Sequence, residues 1–191
     1  MSGHDVGEPS DWVKRWQHLI PEGARVLDVA CGSGRHMAWL TQRACHCTGI
    51  DRSAEALAGA SRYGDTVQAD IEDGPWPLLQ DGLPQPFDVV LVTNYLWRPL
   101  FPVLLQSLAP GGLLLYETFA LGNETVGKPS RPEFLLQTGE LLQWCQSLRI
   151  VAFEDGYLPN PERFVQRIAA FRPLHGFDAA QPPARYPLSL K

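Results

Sequence analysis

Three aspartates sit within or at the end of short apolar runs. Asp28 lies inside Val26-Leu27-Asp28-Val29-Ala30, Asp51 closes Gly49-Ile50-Asp51, and Asp70 follows Ala69. A carboxylate near the carboxyl end of a buried strand can take charge-assisted hydrogen bonds from a ligand's amino or hydroxyl groups. Between the first two aspartates stands Cys31-Gly32-Ser33-Gly34, a turn with little side-chain bulk. Such a turn lets a ligand approach the backbone, and the free N–H groups of the next helix point at it. Asp28 is placed to hold an amino group. Asp51, 17 positions past Gly34, suits both hydroxyls of a ribose, and Asp70 with Ile71 suits an adenine amino group. Ala30, Cys31 and Arg52 flank these positions, and Thr93-Asn94 end a later apolar run. Taken singly, each acid also reads as a helix cap or a solvated loop residue, and the glycines as a plain turn.

A second group can act on a bound substrate. Tyr95 and Glu117 are candidates for general acid–base work, each just past the end of an apolar run. Trp97, Arg98 and Phe119 are candidate substrate contacts, and Arg98 or Lys128 could hold an anion. His36 is a further candidate base but reads first as a surface helix residue. Cys45-His46-Cys47 invites a metal reading, but alternate residues of a strand point to opposite faces and no second cysteine pair completes a site. No metal is expected.

The elements that must position these residues alternate. Val26 to Ala30 reads as a strand, Arg35 to Gln42 as a helix, and His46 to Asp51 as a strand. Ala54 to Ser61 reads as a helix capped by Ser53, and Asp65 to Ala69 as a third strand. After a Pro- and Gly-rich loop, Phe87 to Val92 reads as a central strand and Phe101 to Leu108 as a helix stopped by Ala109-Pro110-Gly111-Gly112. Leu113 to Tyr116 is a fifth strand. The polar stretch Ala120 to Thr138 is long for a connection, and long ordered loops are usually functional. Gly139 to Ser147 reads as a helix, and Leu148 to Phe153 and Phe164 to Phe171 as two closing strands. Ahead of all this, residues 10–20 form an expected helix, capped by Ser10 or Asp11, that packs on the domain or covers a ligand. Residues 1–9 are expected to be mobile and 173–191 to form a tail. The pattern predicts one α/β domain over 1–191, with a mostly parallel sheet covered on both faces.

Composition narrows the function. Hydrophobic residues make up 45% of 191 and charged residues 19%, ordinary for a globular domain. A net charge of −5 argues against an extended nucleic-acid surface and favours a small-molecule partner. No run is long enough to span a membrane, residues 1–10 lack a signal core, and four scattered cysteines suit a reducing, cytoplasmic setting. The turn separates two ligand classes. A dinucleotide fingerprint wants a third small residue where Met37 stands, which disfavours an NAD(P)-linked oxidoreductase. Asp28 inside the strand suits the amino group of S-adenosylmethionine.

The ordered set resembles the class I S-adenosylmethionine-dependent methyltransferases. It comprises Val26 to Gly34, Gly49-Ile50-Asp51, Ala69-Asp70-Ile71, Phe87-Asp88-Val89-Val90 and Leu108-Ala109-Pro110-Gly111-Gly112-Leu113. The likeness runs from about Trp12 to Phe171. It implies a Rossmann-like three-layer sandwich whose seven-stranded sheet has the order 3-2-1-4-5-7-6, with strand 7 antiparallel. Asn94 to Pro99 and Glu117-Thr118-Phe119, with Gly127-Lys128-Pro129-Ser130, are similar to small bacterial enzymes of the tellurite-resistance and thiopurine type. Ala30 departs from the family's usual glycine. The resemblance implies methyl transfer from S-adenosylmethionine to a small-molecule acceptor; a non-catalytic cofactor-binding module is the alternative.

Overall fold

A computed structural model describes residues 6–174 and 184–188. Residues 1–5, and 175–183 and 189–191 of the expected tail, lie outside the described residues. The strands are β1 (Arg25–Val29), β2 (His46–Asp51), β3 (Asp65–Gln68), β4 (Leu79–Gln80), β5 (Leu83–Pro84), β6 (Phe87–Thr93), β7 (Leu108–Phe119), β8 (Arg149–Pro159) and β9 (Glu162–Phe171). The helices are α1 (Asp11–Trp16), α2 (Arg35–Leu40), α3 (Ala54–Ala60), α4 (Phe101–Gln106) and α5 (Glu140–Trp144). Seven strands form one sheet in the order β3-β2-β1-β6-β7-β9-β8. All pairs are parallel except those made by β9, which runs antiparallel to both β7 and β8. With β4 and β5 set aside as a separate two-stranded hairpin, this is the expected order.

The central strands are apolar on both faces because helices cover both. Val26, Val89, Leu91, Leu113 and Leu115 face α1, α2 and α3, where Trp12, Trp16, Met37, Leu40 and Leu57 pack. Leu27, Val29, Val90, Val92 and Leu114 face the other way, onto Phe101 and Leu104 of α4 and Leu141 of α5. Strand alternation therefore sorts the polar residues too. Asp28, Thr93 and Glu117 share the α1–α2 side at the carboxyl ends of three neighbouring parallel strands.

The N-terminal segment is fastened. Ser10 caps α1 by accepting the Trp12 N–H at 3.1 Å, and the Trp12 indole donates to the Ile168 carbonyl of β9. Ahead of the cap, the Glu8 carboxylate pairs with Lys14 and its carbonyl accepts from Arg35. At the other end Tyr186 stacks on Phe171 with ring centroids 3.9 Å apart.

Two expectations fail for identifiable reasons. Ala109-Pro110-Gly111-Gly112 does not stop the chain ahead of a short strand but belongs to β7: Gly111 donates to Arg172 and Arg172 donates back to Gly112. The supposed loop from Glu154 to Arg163 is a continuous hairpin of β8 and β9, turning at Asn160–Pro161. Gly156 and Pro159 are tolerated there because β8 is the sheet's edge. The long stretch 120–138 is mostly exposed but anchored at Asn123, and its Pro129 and Phe134 line a hollow over the strand ends. Asn123 is 1% exposed, donates to the Pro129 carbonyl and accepts from the Phe164 N–H.

Candidate active site

Two sharp turns open the site. Ala30 ends β1 with φ 54° and Asn94 ends β6 with φ 55°, both in the left-handed region that L-residues avoid at roughly 1–2 kcal/mol each. Strain held by non-glycine residues at adjoining strand ends is typical of functional positions. It also explains why a glycine is preferred where Ala30 stands.

Three adjoining hollows lie over these turns, and Tyr95 borders all of them. One, of about 260 Å³, is lined by Ala30, Asp51, Arg52, Asp70, Ile71 and Tyr95. The next, of about 280 Å³, is lined by Cys31, Gly32, Arg35, His36, Thr93 and Asn94. The third, of about 220 Å³, lies among Asn94, Tyr95, Leu96, Phe119, Pro129 and Phe134. A larger hollow of about 510 Å³ opens elsewhere, over Arg98, Glu140 and Trp144, and none of the strand-end acids borders it.

Asp51 is oriented by its own turn. The Gly32 N–H donates to Oδ2 and the Ser53 N–H to Oδ1, each at 2.9 Å, leaving both oxygens a free lone pair. Asp28 is 1% exposed and its Oδ2 has no hydrogen-bond partner. A buried carboxylate oxygen without a partner is costly unless a cation or donor meets it. Gly32 has φ 54°, and a Cβ built there meets no atom within 4 Å, so a side chain would enter open space. Gly34 is different. Its Cβ would stand 2.9 Å from both Cα and Cβ of Ala60, so this glycine packs α2 against α3.

The thiol and phenol nearby are not nucleophiles. Burial, with Asp28 and Asp51 adding to it, pushes Cys31 up to about 12. Burial also raises the Tyr95 phenol, and the neighbouring Glu72 and Asp70 carboxylates add to the shift. Tyr95 therefore remains protonated at neutral pH and can donate a hydrogen bond, a different role from the base the sequence suggested. Tyr116 fixes the backbone by donating to the Tyr95 carbonyl at 2.8 Å.

Four expected site residues stand elsewhere or are already engaged. Arg98 is clamped to Glu140 at 2.7 and 2.9 Å and to two carbonyls of the 132–135 turn, so it fastens that turn instead of waiting for a substrate. Burial alone would raise the Glu140 carboxyl, but Arg98, the Gln137 N–H and Trp144 hold it below the ordinary range. Trp97 packs into the core on the α4–α5 side. Glu117 borders none of the three hollows. It is 1% exposed and accepts from Ser10 and Arg167, with Arg163 at 3.7 Å. Lys128 is exposed. Phe119, by contrast, lines the third hollow as expected.

The sequence reading misplaced one residue and missed another. His36 is 1% exposed, not at the surface: its Nδ1 stands 3.7 Å from Asp28 Oδ2 and its Nε2 accepts the Ser10 N–H at 3.2 Å. Arg35, which donates to Thr93 Oγ1 and the Glu8 carbonyl, is the basic group of the second hollow. Its signal was a basic residue at the first position of the helix after the glycine turn.

Residues 26–112 match the family described as Methyltransferase domain. Residues 26–112 thus carry a methyltransferase domain. It is 31% identical over 183 residues to a tRNA U34 carboxymethyltransferase of Shewanella woodyi, covering 79% of this chain and 53% of that one. The chain thus spans about half the length of that relative. Among solved structures, TehB from Haemophilus influenzae superposes with a TM-score of 0.67 at 18% identity, over 85% of this chain and 61% of that one. An S-adenosylmethionine-dependent methyltransferase from Methanosarcina mazei gives 0.67 at 14%, over 88% and 100%. At these identities the structural likeness shows the fold.

The methyltransferase domain's cofactor is S-adenosylmethionine, and the residues present fit it. Asp51 can meet its ribose hydroxyls and Asp70 with Ile71 its adenine; Asp28 borders none of the three hollows, and its Oδ2, 3.7 Å from His36 Nδ1, is the acceptor left for the amino group. Gly32 leaves open the space that a side chain would fill. Arg35 offers a counter-charge for its carboxylate. Among the described residues no cluster of ligating side chains could hold a metal ion, and no helix is long and apolar enough to cross a membrane.

Proposed function

We propose that this protein transfers a methyl group from S-adenosylmethionine to a small-molecule acceptor seated in the hollow of Asn94, Tyr95, Phe119 and Phe134. Bound there, the cofactor supplies an electrophilic methyl group. The chain's own residues bind it, orient the acceptor and exclude water. The observation that carries this reading is the meeting of all three hollows at Tyr95, at the carboxyl ends of β1, β2 and β6, where ligands of open α/β sheets bind.

The acceptor hollow is about 220 Å³ and combines Tyr95, Phe119 and Phe134 with Glu72 and Thr118, which suits a compact, partly apolar molecule. The net charge of −5 argues in the same direction, since a polynucleotide demands a basic field. The name of the Shewanella woodyi relative refers to tRNA, which makes tRNA the acceptor to test against. Radiolabelled S-adenosylmethionine is incubated with the protein and either a small-metabolite extract or bulk tRNA. Label in the small-molecule fraction supports the proposal, and label in tRNA alone overturns the acceptor class. Failure of S-adenosylhomocysteine to bind by calorimetry overturns the whole reading.

A further inference from the structure

The three hollows that meet at Tyr95 differ in charge. Arg52 borders the one that suits adenine and ribose, and Arg35 borders the next. The acceptor hollow has neither. Among the described residues that line it, Glu72 carries the only charged side chain, and no lysine, arginine or histidine takes part. Arg98 and Lys128, put forward by the sequence for an anionic substrate, are absent from its lining. Arg131 lies over the Phe134 ring, but its charge is offset there by its ion pair with Glu133. The rings of Tyr95, Phe119 and Phe134 make up much of the rest. Glu72 is set by a tight turn. Its N–H donates to Asp70 Oδ1 at 3.0 Å, and the Gly74 N–H donates to the Asp70 carbonyl at 2.9 Å. A Cβ on Gly74 would stand 2.8 Å from that carbonyl oxygen. The turn puts Glu72 at the border between the adenine hollow and the acceptor hollow. Its carboxylate lies close enough to the Tyr95 phenol to add to the upward shift that burial produces there.

An ammonium group is attracted by a carboxylate and by aromatic rings alike. An anion finds no counter-charge in this hollow, and an alcohol gains from only part of it. Resting on the methyl-transfer reading above, we propose that the methyl acceptor is an amine, held in its ammonium form by the Glu72 carboxylate and the rings of Tyr95, Phe119 and Phe134. Before transfer, the ammonium gives up one proton to the Glu72 carboxylate, which is exposed and passes it to water. The nitrogen lone pair then forms the bond to the methyl carbon, while the carbon–sulfur bond breaks with its electron pair left on sulfur. The methylated nitrogen now carries the positive charge, and the Glu72 carboxylate, ionised again, stands beside it.

The test uses three probes on the full chain loaded with S-adenosylhomocysteine: benzylamine, benzyl alcohol and benzoate. Each holds one phenyl ring, so shape is nearly constant while charge runs from positive through neutral to negative at pH 7. Affinities are read by ligand-observed NMR. Wild type should bind benzylamine about tenfold tighter than benzyl alcohol, and benzoate more weakly still. The variant is Glu72→Gln, which keeps the size of an exposed side chain and removes its charge. It should bring benzylamine down to the level of benzyl alcohol, with S-adenosylhomocysteine affinity by calorimetry held within about twofold of wild type. The wild-type comparison stands even if the variant misfolds. No preference of wild type for benzylamine, including no measurable binding of any probe, would overturn the inference. So would unchanged benzylamine affinity in Glu72→Gln, or a loss of S-adenosylhomocysteine affinity as large as that of benzylamine, which would assign Glu72 to the cofactor. Each of these leaves the methyltransferase reading intact. Failure of wild type to bind S-adenosylhomocysteine would instead count against that reading.

Discussion

Gly32 and Gly34 share a left-handed backbone, with φ of 54° and 82°, yet the structure gives them opposite jobs. Replacing either by a side chain adds roughly 1–2 kcal/mol of backbone strain, about 2–8 °C in Tm for a chain of this size. At Gly32 the backbone strain is the main folding cost, because the added Cβ meets nothing within 4 Å and points into open space. At Gly34 the new methyl would press on the Ala60 backbone at 2.9 Å, and overpacking adds about 1–3 kcal/mol more. Gly34→Ala should therefore melt about 4–20 °C below wild type. Gly32→Val should fold with the smaller loss and fail to bind cofactor. S-Adenosylhomocysteine at about 100 times its Kd stabilises a binding protein by about 2.7 kcal/mol, or about 5–11 °C. Tryptophan fluorescence melts with and without ligand separate the two effects. A full ligand-induced shift in Gly32→Val would refute the placement of the cofactor against this turn.

Asp51→Ala removes the acceptor for both ribose hydroxyls and should weaken S-adenosylhomocysteine binding about 10- to 100-fold by calorimetry; unchanged affinity in a folded variant takes Asp51 out of the site. Glu140 is held below its ordinary value of 4.5, so the unfolded chain takes up the proton first as pH falls. Its pairing with Arg98 then stabilises fully above about pH 4.5 and is lost as pH falls through the folded value. Urea midpoints of Glu140→Gln should lie below wild type at pH 7 and fall less steeply toward pH 3; parallel slopes would contradict this. Burial pushes Cys31, Cys47 and Cys145 up to about 12 and raises Cys45, so the folded protein should resist iodoacetamide at pH 8. Complete labelling within minutes would show the native state to be more open than this.

The parts of the fold fixed by hydrophobic run length were legible in the sequence. Val26–Val29 and Phe87–Val92 are apolar on both faces and could only be central strands, and the glycine turn and strand-end aspartates follow from their ends. What the sequence hid was decided by tertiary context. Pro110-Gly111-Gly112 looks like a breaker but pairs with Arg172, and β8 carries Gly156 and Pro159 because it is an edge strand. Charged residues were misread for the same reason. Arg98 and Glu117 look available to a substrate until their partners, Glu140 for one and Ser10 with Arg167 for the other, come from far along the chain. His36 follows a glycine turn and precedes Met37, a position indistinguishable from a solvated helix start until Ser10 and Asp28 are seen on either side.

A crystal structure of the protein with S-adenosylhomocysteine tests the central claim most directly. The account places the amino group against Asp28, the ribose hydroxyls on Asp51 and the adenine beside Asp70 and Ile71. The sulfur should face the hollow of Tyr95 and Phe119. A ligand bound elsewhere, or bound with its sulfur turned away from that hollow, would contradict the account.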